Sequence, residues 1–126
     1  MSETAGLIQL VERYFAAVDR KDVEATLACF ASDATFFIAS HQLRHEGRDT
    51  AIRAMYERLN ARYETLWHGD FDHVVETPSR VASRFTVVNT SAERRLPAKF
   101  NCNFFRVRDG LFDQVVVYMS GDNSLA

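Results

Sequence analysis

The stretch Tyr14–Gly47, YFAAVDRKDVEATLACFASDATFFIASHQLRHEG, decides how this chain is read. Leading into it, Leu7, Ile8, Leu10, Val11, Tyr14, Phe15 and Val18 recur at helical spacing and predict an amphipathic helix from about Glu3 to Asp19. Asp19-Arg20-Lys21-Asp22 breaks that helix with charge. Asp22 suits an N-cap and Glu24 a first turn, so a short second helix is expected over Val23–Phe30. Ser32-Asp33 ends it, and the β-rich run Ala34–Ala39 reads as a first strand. Ser40–Glu46 is polar, carries His41 and His45, and reads as a loop. Gly47-Arg48-Asp49 opens a third helix that turns Ile52, Met55, Tyr56 and Leu59 to one face.

Beyond Tyr63 the hydrophobic period changes from 3.6 to 2. Four strands are expected at about Leu66–Glu76, Arg80–Asn89, Ala98–Arg108 and Leu111–Ser120. Thr77-Pro78-Ser79, the polar segment Thr90–Arg95 and Asp109-Gly110 supply the turns, Asp-Gly being the strongest hairpin signal among them. Helices first and an antiparallel meander afterwards define an α+β fold, with the helices gathered on one face of the sheet. At 126 residues, with no linker or internal repeat, the chain is expected to be a single domain over 1–126.

Composition removes several classes of function. Fifteen basic and seventeen acidic residues give a net charge of −2 without a basic block, so no nucleic-acid surface is expected. Apolar runs such as Val115-Val116-Val117 are far shorter than the roughly 20 residues of a membrane span. The N-terminus MSETAGLIQL lacks the charged and apolar regions of a signal peptide, so a cytoplasmic location is the expectation. Cys29 and Cys102 lie in apolar patterns without metal-ligand spacing and read as buried free thiols. No metal and no cofactor are expected.

With its helices and strands in this order, nearly the whole chain resembles the nuclear transport factor 2-like superfamily, in its SnoaL-like and ketosteroid isomerase-like branch. The residues that carry the resemblance are VERYFAAVDRKDVEATLACFASDAT, the Gly47 and Ala51-Ile52 entry to the third helix, and FFRVRDG before the last strand. The resemblance implies a cone: three N-terminal helices packed in a strongly curved, mostly antiparallel sheet around a deep apolar pocket. The isomerases of this superfamily use an aspartate base on the first strand. Their oxyanion hole is a helix-one tyrosine beside a protonated aspartic acid on the penultimate strand, a pattern of carboxyl tuning described generally. Here Tyr14 matches the tyrosine, Ile38 stands at the base position and Asn103 at the second acid. Isoleucine accepts no proton, so the isomerase mechanism loses its base. Asn103 can still donate a hydrogen bond to a carbonyl or oxyanion beside the Tyr14 phenol.

Strand parity then builds the pocket, since side chains alternate between faces. Ile38 inward brings Phe36 and Ser40 with it. Asn103 inward brings Asn101, Phe105 and Val107; Phe85, Val87 and Asn89, then Val115, Val117 and Met119, complete the walls. Tyr14, Val18, Met55 and Leu59 close the chamber from the helices. Such a chamber suits a small apolar or aromatic ligand. Each polar member also has a purely structural reading: Tyr14 as packing, and Asn101 and Asn103 as amides satisfied within the sheet or by water. His41 and His45 are placed over the cavity mouth as solvated loop residues. His68 lies two residues before Asp70, and a His68–Asp70 pair aimed inward would supply a general base. Parity alone leaves this open against an inward set of Trp67, Phe71 and His73.

The opposite face, with Phe104, Val116 and Tyr118 among Arg84, Thr86 and Arg106, has no sequence left to cover it and is expected to form a sheet-to-sheet homodimer. Three functions follow. The first is a small-molecule-binding domain without the isomerase base. The second is a lyase, isomerase or hydrolase acting on a polyketide- or steroid-like substrate, with His68 and Asp70 as base and Tyr14 and Asn103 as oxyanion donors. The third is a dimeric interaction module with a vestigial cavity.

Overall fold

In the computed structural model, which describes residues 2–92 and 94–126, the first helix α1 spans Glu3–Asp19. The Ser2 hydroxyl accepts from the Ala5 N–H at 3.0 Å and caps it. Its buried stripe is Leu7, Leu10, Val11, Tyr14, Phe15 and Val18, the face its spacing dictates. Asp22 caps α2, Val23–Leu27, accepting from Ala25 N–H at 3.0 Å.

Helix α2 stops three residues earlier than its apolar run suggests. Phe30 is drawn into strand β1, Phe30–Ile38, where it pairs with Phe112 and is fully buried. The Phe112 N–H donates to the Cys29 carbonyl at 2.8 Å, and this sheet bond outweighs another helical turn. The expected loop Ser40–Glu46 is also corrected. A short 3₁₀ turn, Ala39–His41, leads into strand β2, Leu43–Glu46, which pairs antiparallel with β1. Register sets His45 opposite Phe36, so His45 is a buried sheet residue rather than a solvated loop histidine.

Gly47, at φ 94°, begins a π-helical turn over Gly47–Ile52 that runs into α3, Arg53–Arg62. A Cβ at Gly47 would stand 2.4 Å from the Thr50 hydroxyl, so the turn requires glycine. The remaining strands are β3, Thr65–Glu76; β4, Arg80–Ser91; β5, Arg94–Arg95; β6, Lys99–Arg108; and β7, Leu111–Met119. The expected turn Thr90–Arg95 thus holds a short strand, β5, paired with the end of β4, while its Glu93 lies outside the described residues.

The seven strands form one sheet ordered β2-β1-β7-β6-β4-β3, with β5 on the edge of β4. Only β1 and β7 run parallel among the described strands. Aromatic rings fill the space between α1 and the sheet: Tyr14, Phe15, Phe30, Phe36, Phe105 and Phe112 meet within about 4.6–6.4 Å between centroids. Outside, Asp113 is anchored by Arg106 at 2.8 Å and Arg108 at 3.5 Å.

Strand β3 contains the irregularity that positions the site. Its pairing with β4 slips between Gly69 and Asp72, and Asp70 takes a left-handed φ of 55°. An inserted residue reverses parity along a strand. Before the bulge Leu66 and His68 turn inward; after it Phe71, His73 and Val75 do. Each alternative left open by parity is therefore realised in part: His68 from one set and Phe71 and His73 from the other turn inward, while Asp70 and Trp67 are exposed. Trp67 folds over Gly69, where a Cβ would stand 2.3 Å from the indole.

Candidate active site

The cavity lies between α1, α3 and the concave face of the sheet. Its walls include Tyr14, Phe15, Val18, Phe36, Tyr56, Leu59, Phe85, Val87 and Val117, with His68, Asn89, Asn101 and Asn103 as polar members. Ser124 and Leu125, beyond the end of β7, close one end. In this state the enclosed volume is about 30 Å³, room for two or three waters.

Of the expected pocket residues, Tyr14, Phe36, Phe85, Val87, Asn101, Asn103 and Val117 line the cavity. Ile38, Met55, Phe105 and Met119 do not: they are packed into the surrounding core, with Ile38 and Met55 fully buried. Asn89 lines the cavity as parity predicts, and Phe15, Tyr56 and Leu66, which parity does not supply, make the wall more aromatic.

His68 is in the wall, but its carboxylate is not Asp70. The bulge turns Asp70 to solvent, whereas Asp19, the last residue of α1, reaches the imidazole. His68 Nδ1 and Asp19 Oδ1 are 2.6 Å apart, and the His68 backbone N–H donates to Asp19 Oδ2 at 3.1 Å. A carboxylate only accepts, so Nδ1 carries the hydrogen, and it is in the neutral ring that Nε2 has a lone pair to offer. The ring packs against Phe15 and Phe85, with centroids 5.1 and 5.7 Å away. Two bonds from one carboxylate and two flanking rings fix the orientation of the imidazole.

Tyr14 meets a partner that periodicity places only on the apolar face of α3. Its hydroxyl is hydrogen-bonded to that of Tyr56, and both are buried. Burial, the largest influence on each, raises both phenols well above the usual tyrosine range, and they stay neutral. A hydroxyl pair uses one hydrogen internally and leaves the other for a third group.

Asn89, Asn101 and Asn103 are 5%, 7% and 3% exposed, and the Oδ1 of each lacks a hydrogen-bond partner. Asn101 and Asn103 lie two residues apart on β6, while Asn89 lies on β4 opposite Leu66 of β3. Asn101 faces Phe85 and Met119 across the sheet, and Asn103 faces Ser83 and Val117. His73 is spent elsewhere, on the Ser83 hydroxyl at 2.7 Å and Glu12 at 3.3 Å. Among the described residues no group of three or more metal-ligating side chains converges. No helix among them is long and apolar enough to cross a membrane.

Helices packed in a curved, mostly antiparallel sheet around a buried cavity have the nuclear transport factor 2-like fold. Residues 11–115 match the model of the SnoaL-like domain, and the chain belongs to that family. Among solved structures, it is similar to a Xanthomonas campestris pv. campestris protein provisionally named a polyketide cyclase. Identity is 25%, with 93% of this chain and 92% of that one covered, at a TM-score of 0.81. A Pseudomonas putida KT2440 protein with the same provisional name is 26% identical over 94% of this chain and 91% of its own, at 0.75. An epoxide hydrolase of Mycobacterium tuberculosis shares the fold at 17% identity, covering 92% and 84%, at 0.78. No curated protein sequence gives a significant match.

Proposed function

We propose that this SnoaL-like chain is an enzyme that moves a proton at a carbon next to a carbonyl in a small molecule. The observation that carries the reading is His68, tied at Nδ1 to Asp19 at 2.6 Å, with its ring in the wall that also holds Tyr14 and Asn103. In this reading Nε2 takes the proton and the C–H electron pair moves onto the carbonyl oxygen. That oxygen is met by the Tyr14 hydroxyl, with Tyr56 donating to Tyr14 from behind, and by the Asn103 amide N–H. The imidazolium, stabilised by Asp19, then returns the proton to the product. His68 with Asp19 replaces the carboxylate base that Ile38 cannot be.

A second reading, a binding domain alone, is favoured by the neutral amide wall of Asn89, Asn101 and Asn103. One experiment separates the two: deuterium incorporation at the α-carbons of 2-tetralone, together with binding of the same ketone. Acid–base chemistry requires wild type to exchange faster than buffer. His68→Gln should abolish exchange while still binding, and Asp19→Asn should lower it about 10²- to 10⁴-fold. Equal exchange in wild type and His68→Gln, with binding retained in both, would favour the binding domain. A homodimer through the outer sheet face belongs to this proposal; the exposed Trp67, Phe100, Phe104 and Tyr118 support it.

A further inference from the structure

The cavity is too small for the molecules its walls could recognise, and the reason is local. Beyond β7 the chain turns at Gly121, φ 68°, and folds back so that Ser124 is buried and Leu125 packs against the core. On the far side of this segment lies a groove of about 370 Å³ lined by Arg62, Tyr63, Leu96, Lys99 and the segment itself. Ser124 belongs to both spaces. Ser124 thus stands between cavity and groove, with Leu125 on the cavity side. Together they reach the lower part of the roughly 300–1,000 Å³ range of small-molecule sites.

Two cations hold the segment down. Lys99 Nζ donates to the Asp122 carbonyl, and Arg62 donates to the Asn123 carbonyl at 3.3 Å. Inside the segment, Leu125 N–H donates to Asn123 Oδ1 at 2.9 Å and Ala126 N–H to the Asn123 carbonyl at 3.4 Å. No sheet or helix ladder reinforces these bonds. A carbonyl is a weaker partner for a cation than an anion is, because it offers a partial charge where an anion offers a full one. Burial lowers the Lys99 ammonium, Asp122 opposes this, and Arg62 adds to the lowering, so the paired cations would gain from an anion between them.

We propose that Gly121–Ala126 is a strap across a single binding site, and that the whole site takes a small molecule with an uncharged, hydrogen-bonding inner end and a carboxylate or phosphate at its outer end. The inner end meets Asn89, Asn101 and Asn103. The anionic end displaces the Asp122 and Asn123 carbonyls from Lys99 and Arg62 as the strap lifts about Gly121. This rests on the cavity being the ligand site, as proposed above.

The test uses the full chain and fluorine NMR with 4-fluorophenylacetate, 4-fluorophenyl phosphate and the neutral 2-(4-fluorophenyl)ethanol, while following the His68 imidazole resonances. At least one anion should bind about fivefold or more tightly than the alcohol, and which one does separates carboxylate from phosphate. Arg62→Gln and Lys99→Gln should each remove that preference and, by freeing the strap, should not weaken alcohol binding. Leu125→Ala, which loosens the strap at its apolar end, should speed association of all three. An anion preference that survives Arg62→Gln/Lys99→Gln, or alcohol binding equal to both anions, overturns the proposal. If the His68 resonances still shift with the alcohol in that case, the cavity remains the ligand site and only the strap and its cations are refuted. If no probe shifts them in wild type or Leu125→Ala, both readings fall.

Discussion

Replacing Asn103 by leucine should make the protein more stable and less functional at once. The side chain is 3% exposed, between Ser83 on β4 and Val117 on β7, and its Oδ1 meets no partner. An unsatisfied buried amide costs about 1–3 kcal/mol. The adjoining cavity of about 30 Å³ can hold water that recovers part of this, so a gain near the lower bound, about 1 kcal/mol, is expected. For a chain of this length that is a rise in Tm of about 3–6 °C. Leucine keeps the branched shape and exchanges the amide for two methyl groups. Urea unfolding followed by circular dichroism, with deuterium exchange into 2-tetralone on the same samples, measures both effects. Asn103→Val, which is smaller, controls for crowding. A lowered midpoint in both variants would show that the amide makes structural bonds, and would refute its assignment as a donor held ready for a ligand. A raised midpoint with unchanged exchange would separate Asn103 from the chemistry.

Other outcomes follow from the same geometry. His45 is 7% exposed, its Nε2 has no partner, and burial, assisted by Arg58, lowers its pKa from 6.5. The unfolded chain then binds more protons just below pH 6.5. Stability should fall as pH drops through that value towards the folded pKa, by at most about 1.4 kcal/mol per unit. His45→Met should flatten that part of a urea-midpoint profile between pH 7 and 5, and an unchanged slope would assign the acid sensitivity to other groups. On the outer face, Phe104 and Tyr118 are 42% and 49% exposed, with rings 6.0 Å apart. Phe104→Glu should convert a dimer seen by sedimentation into a monomer with its circular dichroism unchanged; a monomeric wild type at micromolar concentration would remove the dimer. Asp113 is 9% exposed but is paired with two half-exposed arginines whose charges water can reach, so Asp113→Ala should cost about 1 kcal/mol, read from the urea midpoint.

Periodicity carried the fold because the apolar stripe of α1 and the alternation of β4, β6 and β7 are local patterns. The bounds of α1, Glu3–Asp19, are those its spacing predicts. Where sheet pairing competes with a helical run, local pattern is insufficient. Phe30 reads as helix until Phe112 is placed beside it, and His45 reads as loop until Phe36 is. The site shows the same division. Tyr14 and Asn103 could be found from their elements. The partner of His68 could not, since Asp70 is two residues away in sequence whereas Asp19 is 49. The only local signal for Asp19 is a carboxylate ending α1, which reads as a helix breaker. Tyr56 was assigned to the inward face of α3, but a hydroxyl pair 42 residues apart has no sequence signature.

The bulge between Gly69 and Asp72 has one more consequence. A single inserted residue acts as a frameshift in side-chain orientation, so the two halves of β3 can be tuned separately. His68 belongs to the half that serves the cavity; Phe71, His73 and Val75 belong to the half that holds α1 against the sheet. Removing Asp70 alone would bring the strand back into step. Either His68 would leave Asp19 and face solvent, or the other three would surrender their packing. One codon thus decides whether this strand can line the cavity and hold α1 at the same time.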